Sequence, residues 1–337
     1  VALTRSLFPG GVGRAVVIVL TAAVLAVCGL VGAAPSAADA TPCPGCGKAQ
    51  RSTGAAEELK RTAPLAKLRE LRDSGAARFQ EPALHSVEGD PASGASGPPD
   101  ARYAELDEYR LFAEGDDPVH WRHIRQQQIG DCWLMATMGA IAAADPGLIR
   151  EMITANPNGT YTVAFPGARP VTVTPDLPLH DGKPVFAGSD PEQRVIWPAI
   201  LEKAYAQREG GYGELENWHS GAAMSAFKPG SGLGDYLPSF LMNPLIRTDV
   251  DDLYARFAER GEAMTLSTSP LSGDRPLMRE GELVSGHVYF VVAVDAAADT
   301  VTVRNPWGEH TGDIVLTEDE INRNITAIHS SLMREER

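Results

Sequence analysis

Cys132 is the only cysteine after Cys46. It stands in "QQQIGDCWLMATMGAIAAADP", running from Gln126 to Pro146, where a Gly-Asp turn meets an apolar, Ala-rich segment. A segment of that kind forms a buried helix, and helix N-termini carry partial positive charge and unpaired N–H groups. A free thiol is only a few per cent ionised at neutral pH, and at a helix start beside an imidazolium it ionises several units lower. The placement alone leaves a nucleophile and an inert core cysteine evenly matched. A nucleophilic thiol also needs a base. His287 opens the β-branched run "HVYFVVAVD" behind Ser285-Gly286. An imidazole in turn needs a partner that fixes its tautomer. Asn305 in "RNPWG" would lie beside His287 if the two runs pair through the hairpin "DAAADT", and Trp307 could cover their hydrogen bond. By themselves a lone histidine is more often structural and Asn-Pro is a turn signal. Acyl transfer further needs donors aimed at the developing oxyanion, and the Cys132 N–H with the carboxamide of Gln126, six residues upstream, would supply them. Trp133, Gly286 and Trp307, adjoining these groups in the chain, are the candidate substrate contacts; Gln127 and Gln128 read as solvated.

The elements that must hold these groups are legible in outline. Ile129 to Ala144 reads as the buried helix. "TYTVAF" and "PVTVTPDL" alternate as strands about a "PGAR" turn. Gln193 to Gly213 carries Ile196, Trp197, Ile200, Leu201 and Tyr205 at helical spacing and stops at Gly210-Gly211. A second amphipathic helix is expected from about Val250 to Arg260, and then strands at Ala263 to Thr268, His287 to Ala296 and Thr300 to Gly308. Helices first and strands later make an α+β pattern rather than an alternating βαβ one.

The whole chain limits what these residues serve. Its 30 Lys and Arg against 44 Asp and Glu give a net charge of −14 with no basic stripe, which argues against nucleic acid as a partner. Four cysteines, Cys28, Cys43, Cys46 and Cys132, form no disulfide framework, and the single C-x-x-C at Cys43 reads as a small local disulfide. The apolar, uncharged run from Ala15 to Ala34 with "ADA" before Thr41 reads as a cleaved signal, with a retained membrane anchor as the alternative. Residues 41–100 are rich in Ala, Gly, Pro and Ser and read as a disordered linker or propeptide, with Leu65, Leu68 and Leu71 on one transient helical face. The expected organisation is therefore 1–40 for export or anchoring, 41–100 as tether and 101–337 as the folded domain.

Taken together, "Q-x-x-x-G-D-C-W" from Gln126, "W-P-A-I-L-E-K-A-Y-A", "G-H-x-Y" and "R-N-P-W-G" resemble the calpain family of papain-like cysteine proteases from about Tyr109 to Glu320. The resemblance implies a papain-like fold, with a helical subdomain carrying Cys132, a β-rich subdomain carrying His287 and Asn305, and the site in the cleft between. It makes Cys132 the nucleophile, His287 the base and then acid, Asn305 the orienter and Gln126 the oxyanion donor of an endopeptidase acting on protein or peptide; with the apolar run and the "ADA" site the expectation is an exported enzyme, and a monomer. A transglutaminase-like acyl transferase and a non-catalytic binding module are the alternatives. The sequence departs from the calcium-activated members. Gln127 replaces a glycine, His123 stands where they carry an aspartate, and "EHTGDIVLTEDE" after Trp307 is short. Glu202 matches one of their calcium ligands, but a lone Glu on a helix is expected to be solvated. No cofactor is expected, and calcium is not expected to be required.

Overall fold

The structure, a computed structural model, describes residues 100–188, 192–229, 248–268, 283–308 and 311–333, and residues 64, 97, 98 and 231 besides. The signal or anchor, the C-x-x-C and the Leu65 to Leu71 helical face lie outside the described residues.

Strand β1 (Arg102–Ala104) opens the described fold, and a single 3-10 turn (Trp121–His123) precedes helix α1 (Cys132–Ala144). The helix starts three residues later than the apolar pattern suggested, because Gly130 and Asp131 form the turn that leads into it. It is apolar all round, so almost every side chain is buried, as expected of a helix enclosed on all sides. It ends at Asp145, whose Oδ1 accepts from Leu148 N at 3.2 Å and caps α2 (Pro146–Met152). Strands β2 (Ile153–Ala155), β3 (Tyr161–Val163) and β4 (Val171–Val173) form an antiparallel sheet, with Tyr161 opposite Val173 across the expected turn. Strands β5 (Leu177–His180) and β6 (Lys183–Pro184) pair beside β1. Helix α3 (Trp197–Glu209) has Pro198 in its first turn and stops at Gly210, whose φ of +104° is open to glycine. Helix α4 (Ser220–Phe227) follows.

The second half is a five-stranded antiparallel sheet. After α5 (Val250–Tyr254), which runs on as a π turn (Ala255–Glu259), come β7 (Ala263–Thr268), β8 (Val288–Asp295), β9 (Thr300–Arg304) and β10 (Asp313–Thr317). Helix α6 (Glu318–Asn324) and β11 (Ile325–Ser331) complete it in the order β10-β9-β8-β7-β11. The last three elements were not anticipated, since the acidic stretch after Trp307 reads as loop. Thr317 and Glu320 form a reciprocal capping box that starts α6.

The alternation along β8 builds two cores. Val288 and Phe290 join the cluster around α1, while Tyr289 and Val291 pack with Val250, Leu253 and Leu266 on the other face. Helix α1 lies so close to the sheet that a Cβ on Gly139 would stand 2.7 Å from the Phe290 ring. This close seating brings the start of α1, with Cys132, alongside the start of β8, next to His287.

Candidate active site

Pairing of β8 with β9 sets Phe290 opposite Arg304, which leaves His287 and Asn305 as neighbours just past the paired ends. His287 Nε2 lies 2.9 Å from Asn305 Oδ1. Asn305 Oδ1 also accepts from the Trp307 N–H at 3.0 Å, so the atom facing both groups is the oxygen. Nε2 of His287 must then carry the hydrogen, and in the neutral ring Nδ1 keeps its lone pair. The Trp307 indole lies against the imidazole with centroids 4.9 Å apart, and Tyr289 meets it edge-on. Burial lowers the His287 pKa and the bond to Asn305 opposes the shift. Gly286, at φ +63°, is exposed immediately before it.

Cys132 is the first residue of α1, where the N–H has no acceptor within the helix. Its thiol approaches the backbone of Val288, the residue after His287. No hydrogen bond joins the sulfur to the imidazole. The helix start alone does not set the state of the thiol. Burial pushes its pKa up to about 11, the backbone N–H of Val288 opposes the rise, and the adjacent Asp131 carboxylate adds to it. Burial thus drives both groups toward their uncharged forms, thiol and neutral imidazole.

Gln126 connects the two sides. Its backbone N–H donates to the carbonyl of Pro306 at 2.7 Å, tying the segment before Cys132 to the turn that carries Asn305. Its Nε2 donates to the Ile129 carbonyl at 2.7 Å, and the same carboxamide bonds toward the Asp131 carboxyl. Gln127 and Gln128 are exposed as expected. The Gln127 side chain lies over Gly188, with the backbone beside it held by bonds from Gly188 N to Arg125 O (2.7 Å) and from Gln128 N to Val185 O (3.1 Å).

In three places the structure departs from the sequence reading or adds to it. Trp133 does not face a substrate: it is 2% exposed and its indole N–H donates to the Leu215 carbonyl at 2.7 Å, so it anchors the core behind the cysteine. Glu202 is not solvated but wholly buried, with Oε2 accepting from Ala187 N at 2.9 Å. Its side chain faces Asp131, the buried cap residue of α1, and the Gln126 carboxamide stands beside them. Burial raises both carboxyl pKa values; the Asp131 charge raises Glu202 further, while the bond from Glu202 lowers Asp131, so the pair holds a proton, on the Glu202 side. The sequence signal for this was present: Pro198, Ala199, Tyr205 and Ala206, three and four positions from Glu202 on the same helical face, are all apolar. The third is an addition: Trp218, on which the sequence reading made no statement, is 60% exposed beside the cysteine segment.

The donors that a calcium site would need are otherwise engaged. His123 is buried, and its Nδ1 accepts from Trp197 Nε1 at 2.9 Å and from His120 N at 3.2 Å. Asp313 Oδ1 binds Arg304 at 2.7 Å, Glu320 closes the α6 cap, and Asp319 pairs with Arg323. A hard cation wants six to eight oxygens, and at these four residues the bonds above already occupy ring nitrogen or carboxylate oxygens.

A sequence model described as calpain family cysteine protease matches residues 101–318. The calpain-1 catalytic subunit of Macaca fascicularis is 30% identical over 208 residues, covering 55% of this chain and 27% of that protein. The calpain-type cysteine protease ADL1 of Oryza sativa subsp. japonica is 30% identical over 201 residues, covering 56% of this chain and 9% of that protein. Calpain-9 of Rattus norvegicus is 28% identical over 204 residues, covering 55% of this chain and 28% of that protein. The chain thus spans little more than a quarter of these relatives at most.

Proposed function

Because the chain belongs to the calpain family of cysteine proteases, whose protease domain is papain-like, we propose that it is a cysteine endopeptidase acting through Cys132, His287, Asn305 and Gln126. The observation that carries this reading is the orientation of His287. With Nε2 bonded to Asn305, the free lone pair on Nδ1 is the one that can take the thiol proton. When a peptide carbonyl enters, Nδ1 accepts the proton from Sγ as sulfur bonds to the carbonyl carbon. The oxyanion is held by the Cys132 N–H and the carboxamide N–H of Gln126, turned toward it when substrate binds. Collapse breaks the C–N bond, the imidazolium delivers its proton to the leaving amine, and a thioester remains. Water, deprotonated by His287, then releases the acid and restores the thiol.

The thiol that rests uncharged makes proton transfer part of the attack rather than a step completed beforehand. A transglutaminase-like transferase would use the same thioester and differ in accepting an amine in place of water. The protein is also proposed to be exported, beginning near Thr41, on the strength of the apolar run and the "ADA" site. N-terminal sequencing of exported material tests that.

The central test is labelling of the full chain with an epoxide or vinyl-sulfone thiol probe, mapping the labelled peptide, alongside casein hydrolysis. Label on Cys132 and loss of hydrolysis in Cys132→Ala and His287→Ala support the reading. Full activity in Cys132→Ala would overturn it, and turnover only with an added amine would move it to the transferase.

A further inference from the structure

The cysteine side of the site presents an indole that no step above uses. Trp218 is 60% exposed, more than any other large apolar side chain among the described residues. Scattered exposed apolar residues are ordinary; what distinguishes this one is how it is held. The Asn217 N–H donates to the Gly130 carbonyl at 3.1 Å, and the Trp133 indole donates to the Leu215 carbonyl at 2.7 Å. Gly130 lies two residues before Cys132 and Trp133 one after it, so the loop is tied to the nucleophile's own segment at two points. On the far side, His219 stacks on His329 of β11 with centroids 6.2 Å apart. Asn217 has φ +63°, a left-handed conformation uncommon for a residue with a side chain, and it turns the chain sharply just before Trp218. The inner edge of the Trp218 ring leans on Trp133, with centroids 6.5 Å apart, and its outer face meets water.

We propose that Trp218 is a specificity-determining residue of this cleft, its open face receiving a large apolar side chain of the peptide substrate close to the bond that Cys132 attacks. This rests on the peptidase reading above. An indole offers a broad, rigid apolar surface that loses little conformational freedom when covered. A basic side chain could stack on it too, but a cation over an exposed ring gains less than burial of a Leu or Phe does.

The test uses the full chain and a set of peptides that differ only in the residues flanking the cleaved bond. Wild type is expected to favour Leu or Phe over Ala at one position by roughly tenfold or more in kcat/KM, most of it in KM. In Trp218→Ala that ratio falls to near one, and in Trp218→Phe, which keeps an aromatic face, most of it is retained. An unchanged ratio in Trp218→Ala, or a wild-type preference for basic residues instead, overturns the proposal. A second arm reads binding without turnover, comparing the same peptides on Cys132→Ala with and without Trp218→Ala. Weaker binding of the apolar peptides alone on loss of the indole supports the proposal even if wild type cuts none of them, which would sink the peptidase reading separately. Equal binding to both chains overturns the proposal whatever the peptidase result.

Discussion

Trp307 decides which way Asn305 points. Its backbone N–H takes Oδ1 as acceptor at 3.0 Å, the same oxygen meets His287 Nε2 at 2.9 Å, and the imidazole is left with one tautomer. Asn305→Ala should therefore fold and retain substrate binding while kcat falls on the order of 10- to 100-fold. That is less than loss of a charged triad member, because Asn orients without adding charge. Steady-state kinetics on a cleavable peptide check this, and an unchanged kcat would remove Asn305 from the mechanism.

A thiol held uncharged makes a pH prediction that an ion pair does not. With the Cys132 pKa raised to about 11 by burial, the thiolate fraction grows about tenfold per pH unit through the neutral range. Alkylation of the free enzyme by iodoacetamide should steepen in that way from pH 6 to 9. A rate that is level across this range would mean the thiolate–imidazolium pair is already formed.

The proton between Asp131 and Glu202 sets a slope in stability. Unfolded carboxyls titrate near pH 4, and burial raises both native values. Between those limits the native state binds the extra proton, so stability falls as pH rises through this window and is level beyond it. Glu202→Gln mimics the protonated partner: its amide can donate to Asp131 while its carbonyl still accepts from Ala187 N. The variant should lose one proton's worth of slope, about tenfold in the folding constant per pH unit between roughly pH 5 and the native titration. Denaturant unfolding at several pH values measures it, and parallel slopes for the two chains would show that no proton is held there.

Gly139 is where α1 and β8 touch. A methyl at that position would stand 2.7 Å from Phe290, so Gly139→Ala should cost about 1–3 kcal/mol through overpacking despite the better helix propensity of alanine. It should also lower activity, since the same contact sets Cys132 beside the start of β8. A stabilised, fully active variant would contradict the packing argument.

Calcium is the remaining prediction. His123 accepts hydrogen bonds in the core, Glu202 faces Asp131, and Asp313, Glu320 and Asp319 are engaged by Arg304, the α6 cap and Arg323. Activity should persist in excess chelator. Loss in chelator with recovery on calcium alone would show that other oxygens form a site.

The sequence by itself determined the chemistry and most of the elements. Residue types at characteristic spacings name a thiol, an imidazole and an amide, and local periodicity places a helix at Cys132 and paired strands at His287 and Asn305, because such signals reside within a few residues of one another. It also determined that the acidic stretch after Trp307 was short, though not that it would fold as β10 and α6, whose stability comes from pairing with β9 and from the Thr317 cap. Only the tertiary structure decided the environment of each group. Whether Glu202 meets water or Asp131, whether Trp133 or Trp218 faces outward, and whether the Cys132 thiol is charged all depend on which distant surfaces close over them. Desolvation is a property of that enclosure, and no local pattern carries it.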